Sequence, residues 1–78
     1  MREGVLIFDH EKERMDIRFG LLEYYGGLHC GDCLQVKIDN LWVPTRLEKF
    51  DFFFLVGIRV SKLNGLIVRI CRIRWKVW

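Results

Sequence analysis

Hydrophobic and polar residues alternate most regularly between residues 31 and 48. The alternation in the first half of this stretch has the period of a strand with one buried face. That face consists of Leu34, Val36 and Ile38. Asp39 and Asn40 follow, and both residue types tolerate the positive φ angles of a tight turn. The pattern therefore predicts a β-hairpin whose second strand covers residues 41–48.

The second strand of this hairpin contains two unusual residues. Trp42 is its largest apolar side chain, and we expect it to anchor the hydrophobic core. Pro44 has no N–H to donate to a neighbouring strand, so it predicts a sheet edge, a bulge or a break at that point.

Two shorter strands are predicted before the hairpin. Residues 5–8 are apolar and precede a polar turn. Alternation resumes after this turn and predicts a second strand, paired with the first as a hairpin. Its apolar face consists of Met15, Ile17 and Phe19. Residues 20–32 contain four glycines and no sustained alternation, which predicts a long loop in which residues 21–25 are compatible with one helical turn.

A continuous apolar stretch follows the central hairpin. Residues 52–60 are aromatic and β-branched, which is typical of a central, well-buried strand. The residues assigned to the core on this basis are Trp42, Phe52, Phe54 and Val56. Gly57 predicts a bulge or a sharp bend in this strand. The dipeptide Asn64-Gly65 is a strong signal for the next turn.

The last predicted strand begins at residue 66 and changes phase along its length. Val68 and Ile70 share one face, whereas the later apolar residues have the opposite parity. Either a one-residue bulge near Cys71 restores the phase, or residues 71–78 form an extension that pairs elsewhere.

These elements predict one small all-β domain over residues 1–78, with its core in residues 3–70. Five or six short antiparallel strands with tight turns favour a small, partly open barrel of SH3-like form. An oligonucleotide-binding (OB-like) barrel is the alternative.

The lack of membrane-spanning and secretion signals in the sequence leads us to expect a cytoplasmic protein. The longest apolar run is far shorter than the roughly 20 residues of a membrane-spanning helix. Residues 5–8 are too few for the apolar region of a signal peptide, and acids flank them. We therefore expect the three cysteines to be reduced thiols.

Charge is distributed unevenly along the chain. Residues 1–58 hold seven Lys and Arg and ten Asp and Glu, a net charge of −3. Residues 59–78 hold six Lys and Arg and no acid, a net charge of +6. The total of +3 therefore conceals a basic C-terminal quarter.

Three groups of residues are candidates for binding: aromatic residues of the long loop, basic residues of the last strand, and a set of potential metal ligands. Aromatic side chains on a glycine-rich loop suit a protein interface. These candidate partner-binding residues are Tyr24, Tyr25 and His29. Self-association by strand addition through the aromatic last strand is a second form of protein binding.

The basic last strand is the candidate nucleic-acid surface. Cationic side chains at period two form a row, and a neighbouring tryptophan offers a surface on which a base can stack. These residues are Arg69, Arg72, Arg74, Trp75 and Lys76. Alternatively, these charged side chains only face solvent on the outer side of the strand and discourage aggregation.

Metal binding and catalysis are the weaker alternatives. Two thiolates with two residues between them, as in Cys30-x-x-Cys33, can chelate zinc. The candidate ligands are His29, Cys30, Cys33 and Cys71. A second paired element is missing, so we expect no metal and no cofactor. No phosphate-binding loop, dinucleotide fingerprint or hydrolase elbow occurs, and we expect no enzyme activity.

Several short motifs resemble a known family. They are Gly4-x-Leu6, Asp16-Ile17, Phe19-Gly20, the run LHCGD over residues 28–32, the run WVPTRLE over residues 42–48, and L-x-G-L-x-V-R-I over residues 63–70. Together they resemble a family of small uncharacterised bacterial domains, found mainly in Gram-positive bacteria and their mobile elements. The resemblance covers residues 3–70 and implies a compact cytoplasmic β domain with no assigned activity. The sequence thus predicts a binding or regulatory module, with protein interaction or self-association first and nucleic-acid binding as the alternative.

Overall fold

The computed structural model describes residues 1–71, which form seven antiparallel strands in one sheet and no helix. The strands are β1 (Arg2–Asp9), β2 (Arg14–Gly20), β3 (Glu23–Tyr24), β4 (Cys33–Ile38), β5 (Leu41–Lys49), β6 (Phe53–Leu55) and β7 (Ile67–Ile70). The all-β prediction is confirmed. The structure has more strands than the five or six predicted, and the sheet is open because its two end strands do not pair with each other.

The strand order is β3-β2-β1-β7-β4-β5-β6. The last described strand therefore lies in the middle of the sheet. Gly4 of β1 pairs with Val68, and Val36 of β4 pairs with Val68 from the other side. Strand addition through residues 67–70 is excluded, since both edges of β7 are occupied. The predicted bulge and the extension after Cys71 lie outside the described residues.

The central hairpin agrees with the prediction in detail. Val36 lies opposite Val43 and Ile38 opposite Leu41, so only Asp39 and Asn40 form the turn. Both turn residues have positive φ, 50° and 66°, as the turn requires.

Pro44 continues β5 opposite Gln35 without a break. Strand β6 pairs with β5 only further along, where Leu47 lies opposite Leu55. Proline is tolerated because its missing N–H is not needed by a second neighbouring strand.

One face of the sheet forms the core. Its fully buried side chains come from six of the seven strands and from the loop before β4. They are Leu6, Met15, Ile17, Leu28, Leu34, Val36, Leu47, Leu55, Val68 and Ile70. Of the alternating residues predicted for the second, central and last strands, Met15, Ile17, Leu34, Val36, Val68 and Ile70 supply this face, as the period of two requires, whereas Phe19 and Ile38 are partly buried.

The long loop contains a short strand instead of a helical turn. Residues 21 and 22 form a turn, and β3 then pairs with β2, with Tyr24 opposite Arg18. The loop continues along the same edge, because Leu28 donates its N–H to Met15 O at 2.8 Å. The prediction of a helical turn was wrong because the β2 edge was open to pair with this segment.

The aromatic stretch is an edge strand and not the centre of the sheet. Strand β6 has three residues, and among the described strands only β5 pairs with it. Phe53 and Leu55 face the core, whereas Phe52, Phe54 and Val56 are exposed. The assignment of those three residues to the core was wrong, because an apolar run without alternation does not show which parity is buried. Gly57 lies in the turn that ends the strand, with a φ of 78°.

Trp42 is also outside the core. It pairs with Lys37, on the face opposite to that of Val36. The Trp42 ring is half-buried beneath Arg69, whose Cζ lies 4.4 Å from the ring centroid. The hairpin register dictates this position, since a two-residue turn after Ile38 places Trp42 on the Lys37 face.

Candidate functional site

The three predicted partner-binding residues do not form one surface. Tyr24 is exposed on β3, but Tyr25 packs against the core, with its ring centroid 6.5 Å from that of Phe19. His29 lies further along the loop, where its side chain is exposed and its backbone N–H is bonded to Asp32 Oδ2 at 2.8 Å. Two glycines, Gly26 and Gly27, lie between the tyrosines and the histidine as the loop follows the β2 edge.

Asp16 shapes the loop at these glycines and was missed as a structural residue. Its carboxylate is buried, and Oδ1 accepts backbone N–H groups from Ile17, Gly26 and Gly27 at 2.8, 3.0 and 2.8 Å. The signal in the sequence was an acid directly between two apolar residues, Met15 and Ile17, that are buried, but the partners of this acid depend on the fold of the loop.

The zinc alternative is not supported by the described residues. His29 Nδ1 lies 3.8 Å from Asp32 Oδ2, but residues 1–71 contain no group of three or more His, Cys, Asp or Glu side chains that would hold a metal ion. Cys30, Cys33 and Cys71 are exposed and form no disulfide.

The nucleic-acid prediction is only partly within the described residues. Arg72, Arg74, Trp75 and Lys76 lie outside them. Arg69 is half-buried on the outer sheet face, where its Nε donates to Gln35 Oε1 at 2.6 Å and its guanidinium covers the Trp42 ring. Lys37 Nζ lies 5.7 Å from the centroid of the same ring.

A different surface stands out at the β6 end of the sheet. Phe50 and Phe52 are 86% and 81% exposed, and Phe54 and Val56 are 43% and 37% exposed. We call residues 50–56 the phenylalanine edge. Large exposed apolar side chains that cluster in this way mark interaction sites on soluble domains.

A groove of about 420 Å³ runs beside the phenylalanine edge. Its apolar floor consists of Phe8, Met15, Phe53 and Leu63. The ring centroids of Phe8 and Phe53 lie 6.3 Å apart, so the groove lies where the end of the β1–β2 hairpin contacts β6. Its charged rim consists of Glu13, Lys49, Asp51 and Lys62. Two cations and two anions give the rim no net charge, so the groove does not select a partner by the sign of its charge.

The family of the chain follows from its sequence. Residues 4–70 match the family model described as Domain of unknown function (DUF5348). The chain belongs to this family. The resemblance of the short motifs to an uncharacterised domain family is thereby confirmed, and DUF5348 membership assigns no activity to any residue.

A solved structure supports the same conclusion for the fold. The crystal structure of a protein from Ruminococcus gnavus, a structural genomics target, is 55% identical to this DUF5348 chain. The match covers 88% of this chain and all of the other, with a TM-score of 0.85. No curated protein matches the sequence. In the part of the chain that the structure describes, no helix has the length and apolar character needed to cross a membrane.

Proposed function

We propose that this domain is a protein-interaction module that binds its partner at the phenylalanine edge. The supporting observation is that Phe50 and Phe52 are almost fully exposed beside β6, which among the described strands pairs with β5 alone. An aromatic side chain removes about 150–250 Å² of surface from water when it is buried. Covering these side chains would therefore give a large hydrophobic gain, which nucleic-acid phosphates cannot supply.

The charge of the domain favours protein over nucleic acid. Residues 1–71 carry ten Lys and Arg and ten Asp and Glu, so their net charge is zero. Binding to nucleic acid depends strongly on an excess of cations facing the phosphates. The excess of this chain lies in residues 72–78 and not in the sheet.

Photo-crosslinking tests the proposed surface directly. A photo-crosslinking phenylalanine analogue placed at position 52 should give discrete adducts in cell lysate. The same analogue at Leu22, which is 89% exposed near the opposite edge of the sheet, is the matched control and should give none. Excess untagged wild type should compete for the adducts, and excess Phe50→Ser/Phe52→Ser double variant should not. Equal crosslinking from both positions, or equal competition by both proteins, would show that the phenylalanine edge is not the binding surface.

Nucleic-acid binding is the second candidate, and Arg69 supports it. Its guanidinium is held in place by Gln35 and Trp42 on an open sheet face, and Lys37 lies next to them. A fixed guanidinium presents a plane on which a base can stack.

Fluorescence anisotropy with short single-stranded DNA, duplex DNA and RNA tests this second candidate. Binding at about 50 mM salt should weaken steeply at about 200 mM salt. It should also weaken in Arg69→Gln and in the Arg72/Arg74/Lys76 triple-alanine variant. Absence of binding at the lower salt concentration would refute the nucleic-acid function.

A further inference from the structure

The backbone of β6 has hydrogen-bonding groups on its open side. Val56 donates its N–H to Arg46 O at 3.1 Å, on the side that faces β5. In an antiparallel ladder, every second residue of a strand directs its backbone N–H and C=O groups to the same neighbour. The backbone N–H and C=O of Phe54 therefore face β5 as well. The N–H groups of Phe53 and Leu55 then point away from β5, towards the edge at which the described sheet ends.

In the described sheet, the edge formed by β6 is short, at three residues, and carries no charge. Natural sheets protect an exposed edge by keeping it short, or with lysine, proline, inward charges or a covering loop. The segment from residue 52 to 58 contains no charged residue and no proline. The opposite edge strand, β3, carries Glu23 in an ion pair with Arg2. The contrast indicates that β6 is kept apolar because another strand pairs with it.

We propose that this strand is the β6 strand of a second copy of the chain, paired antiparallel about a two-fold axis at Phe54. This inference rests on the proposed function and names the partner. Phe53 of each copy then donates to Leu55 O of the other, and Leu55 donates to Phe53 O. Leu55 O already accepts from Ile58 N at 3.1 Å, and a carbonyl oxygen has a second lone pair for the new bond.

The side chains of the two copies are compatible with this register. The two Phe54 rings face each other on the outer side of the joined sheet, in the closer type of antiparallel pair. A two-fold arrangement requires a surface that is complementary to itself. An uncharged strand meets this requirement, and the zero net charge of residues 1–71 produces no overall repulsion between the described parts of two copies.

The exposed area is enough for a weak dimer. The exposed fractions of Phe50, Phe52 and Phe54 amount to about two whole phenylalanine side chains, or on the order of 400 Å² per copy. Two copies then bury about 800 Å² of aromatic surface, to which Val56 and the backbone of β6 add. Interfaces below about 1,200 Å² are usually weak, so we expect dissociation at micromolar concentrations, roughly 1–100 µM.

Sedimentation velocity of the full 78-residue chain tests the dimer. From about 1 to 500 µM, the mass should rise from 9.4 kDa towards twice that value. Phe54→Lys places two like charges opposite each other and should weaken the dimer about tenfold or more. Leu22→Lys makes the same kind of change at the opposite end of the sheet and should leave the dimer intact. A wild type that stays monomeric throughout, or a Phe54→Lys variant that dimerises normally, would overturn the proposal.

Amide hydrogen exchange locates the interface independently of mutation. The amides of Phe53 and Leu55 should exchange more slowly at the high concentration than at the low one. The amide of Phe54 already faces β5 and should change less. Dimerisation without protection at Phe53 and Leu55 would place the interface elsewhere and overturn the proposal.

Sedimentation and crosslinking together distinguish failure of the dimer from failure of the proposed function. A monomeric wild type that still gives competed adducts from position 52 would exclude the second copy and retain a different protein partner. A monomeric wild type without adducts would exclude both. Dimers whose purified chains crosslink at position 52 and not at position 22 would support both.

Discussion

At the scale of single residues, Asp16 does the most to shape the loop beside β2. One carboxylate oxygen accepts three backbone N–H groups, two of them from Gly26 and Gly27. Both glycines have φ near 105°, a conformation that other residues rarely adopt. The loop can therefore follow the β2 edge only while an acceptor satisfies these donors.

Replacing this acceptor should be costly. Asp16→Ala leaves three N–H groups without their partner, and we expect a loss of about 2–4 kcal/mol of unfolding free energy. Asp16→Asn retains an oxygen in the same place and should lose clearly less. Urea denaturation of the two variants measures the difference. Equal losses in both would show that the negative charge, and not the acceptor position, holds the loop.

Gly4 is a second residue at which the structure leaves no room for a side chain. A Cβ atom there would lie 2.7 Å from both Arg18 O and Ile17 Cγ2. Gly4→Ala should therefore destabilise the domain by about 1–3 kcal/mol. Gly20 is the matched control, because the nearest atom to a Cβ there is Glu23 Cβ at 3.9 Å. Gly20→Ala should be neutral or slightly stabilising by urea denaturation, and a similar cost at both glycines would contradict the close packing of β1 on β2.

At the scale of strands, the sequence predicted the elements whose signals are local. The β4–β5 hairpin is determined by alternation and by the turn at Asp39 and Asn40, and both are visible in the sequence. The position of β7 between β1 and β4 depends on pairing with residues more than 30 positions away, which no local pattern shows. Strand β6 was misplaced because its apolar run has no alternation to mark the buried face.

The sequence did not point to the surface on which the proposed function rests. Protein binding was predicted from the aromatic residues Tyr24 and Tyr25 of the loop, whereas the proposal places it on the phenylalanine edge. The sequence could not show that Phe52 and Phe54 are exposed, since this depends on which parity of β6 faces the core. Trp42 is different, because counting back across its two-residue turn would have placed it opposite Lys37.

This correction changes the expected effect of truncating Trp42. A core tryptophan would cost about 3–5 kcal/mol on replacement by alanine. The half-buried Trp42 loses its contacts with Arg69 and Lys37, and we expect about 1–2 kcal/mol. Leu47→Ala, at a fully buried position of the same strand, should cost about 2–5 kcal/mol. If urea denaturation showed Trp42→Ala to be the more destabilising change, the outer face would be more tightly packed than its exposure indicates.

At the scale of the whole molecule, the two end strands of the described sheet differ in charge. The β3 end carries the ion pair of Arg2 and Glu23, and hydrogen bonding to this carboxylate raises the pKa of Arg2 above its ordinary value. Strand β6 has no charged residue of its own, although Lys49 of β5 lies over the Phe53 ring and Asp51 precedes the strand. Association at the β6 end would join two sheets without extending them into a fibre, because a charged β3 edge is less suited to pairing.

Association at one end links stability to protein concentration. A dimer that forms only from folded chains stabilises the folded state by mass action, whereas the unfolded chain gains nothing. For a dissociation constant near 10 µM, raising the chain from about 1 to about 300 µM adds on the order of 1–2 kcal/mol. In a domain of this size, the Tm should rise by about 5–10 °C. Phe54→Lys should melt at the same temperature at both concentrations, close to the dilute wild type, because an exposed substitution changes the monomer by less than about 0.5 kcal/mol. Leu22→Lys should follow the wild type at both concentrations in the same calorimetric scans. A wild-type Tm that does not depend on concentration would mean that the open edge of β6 contributes nothing to the stability of this chain by itself.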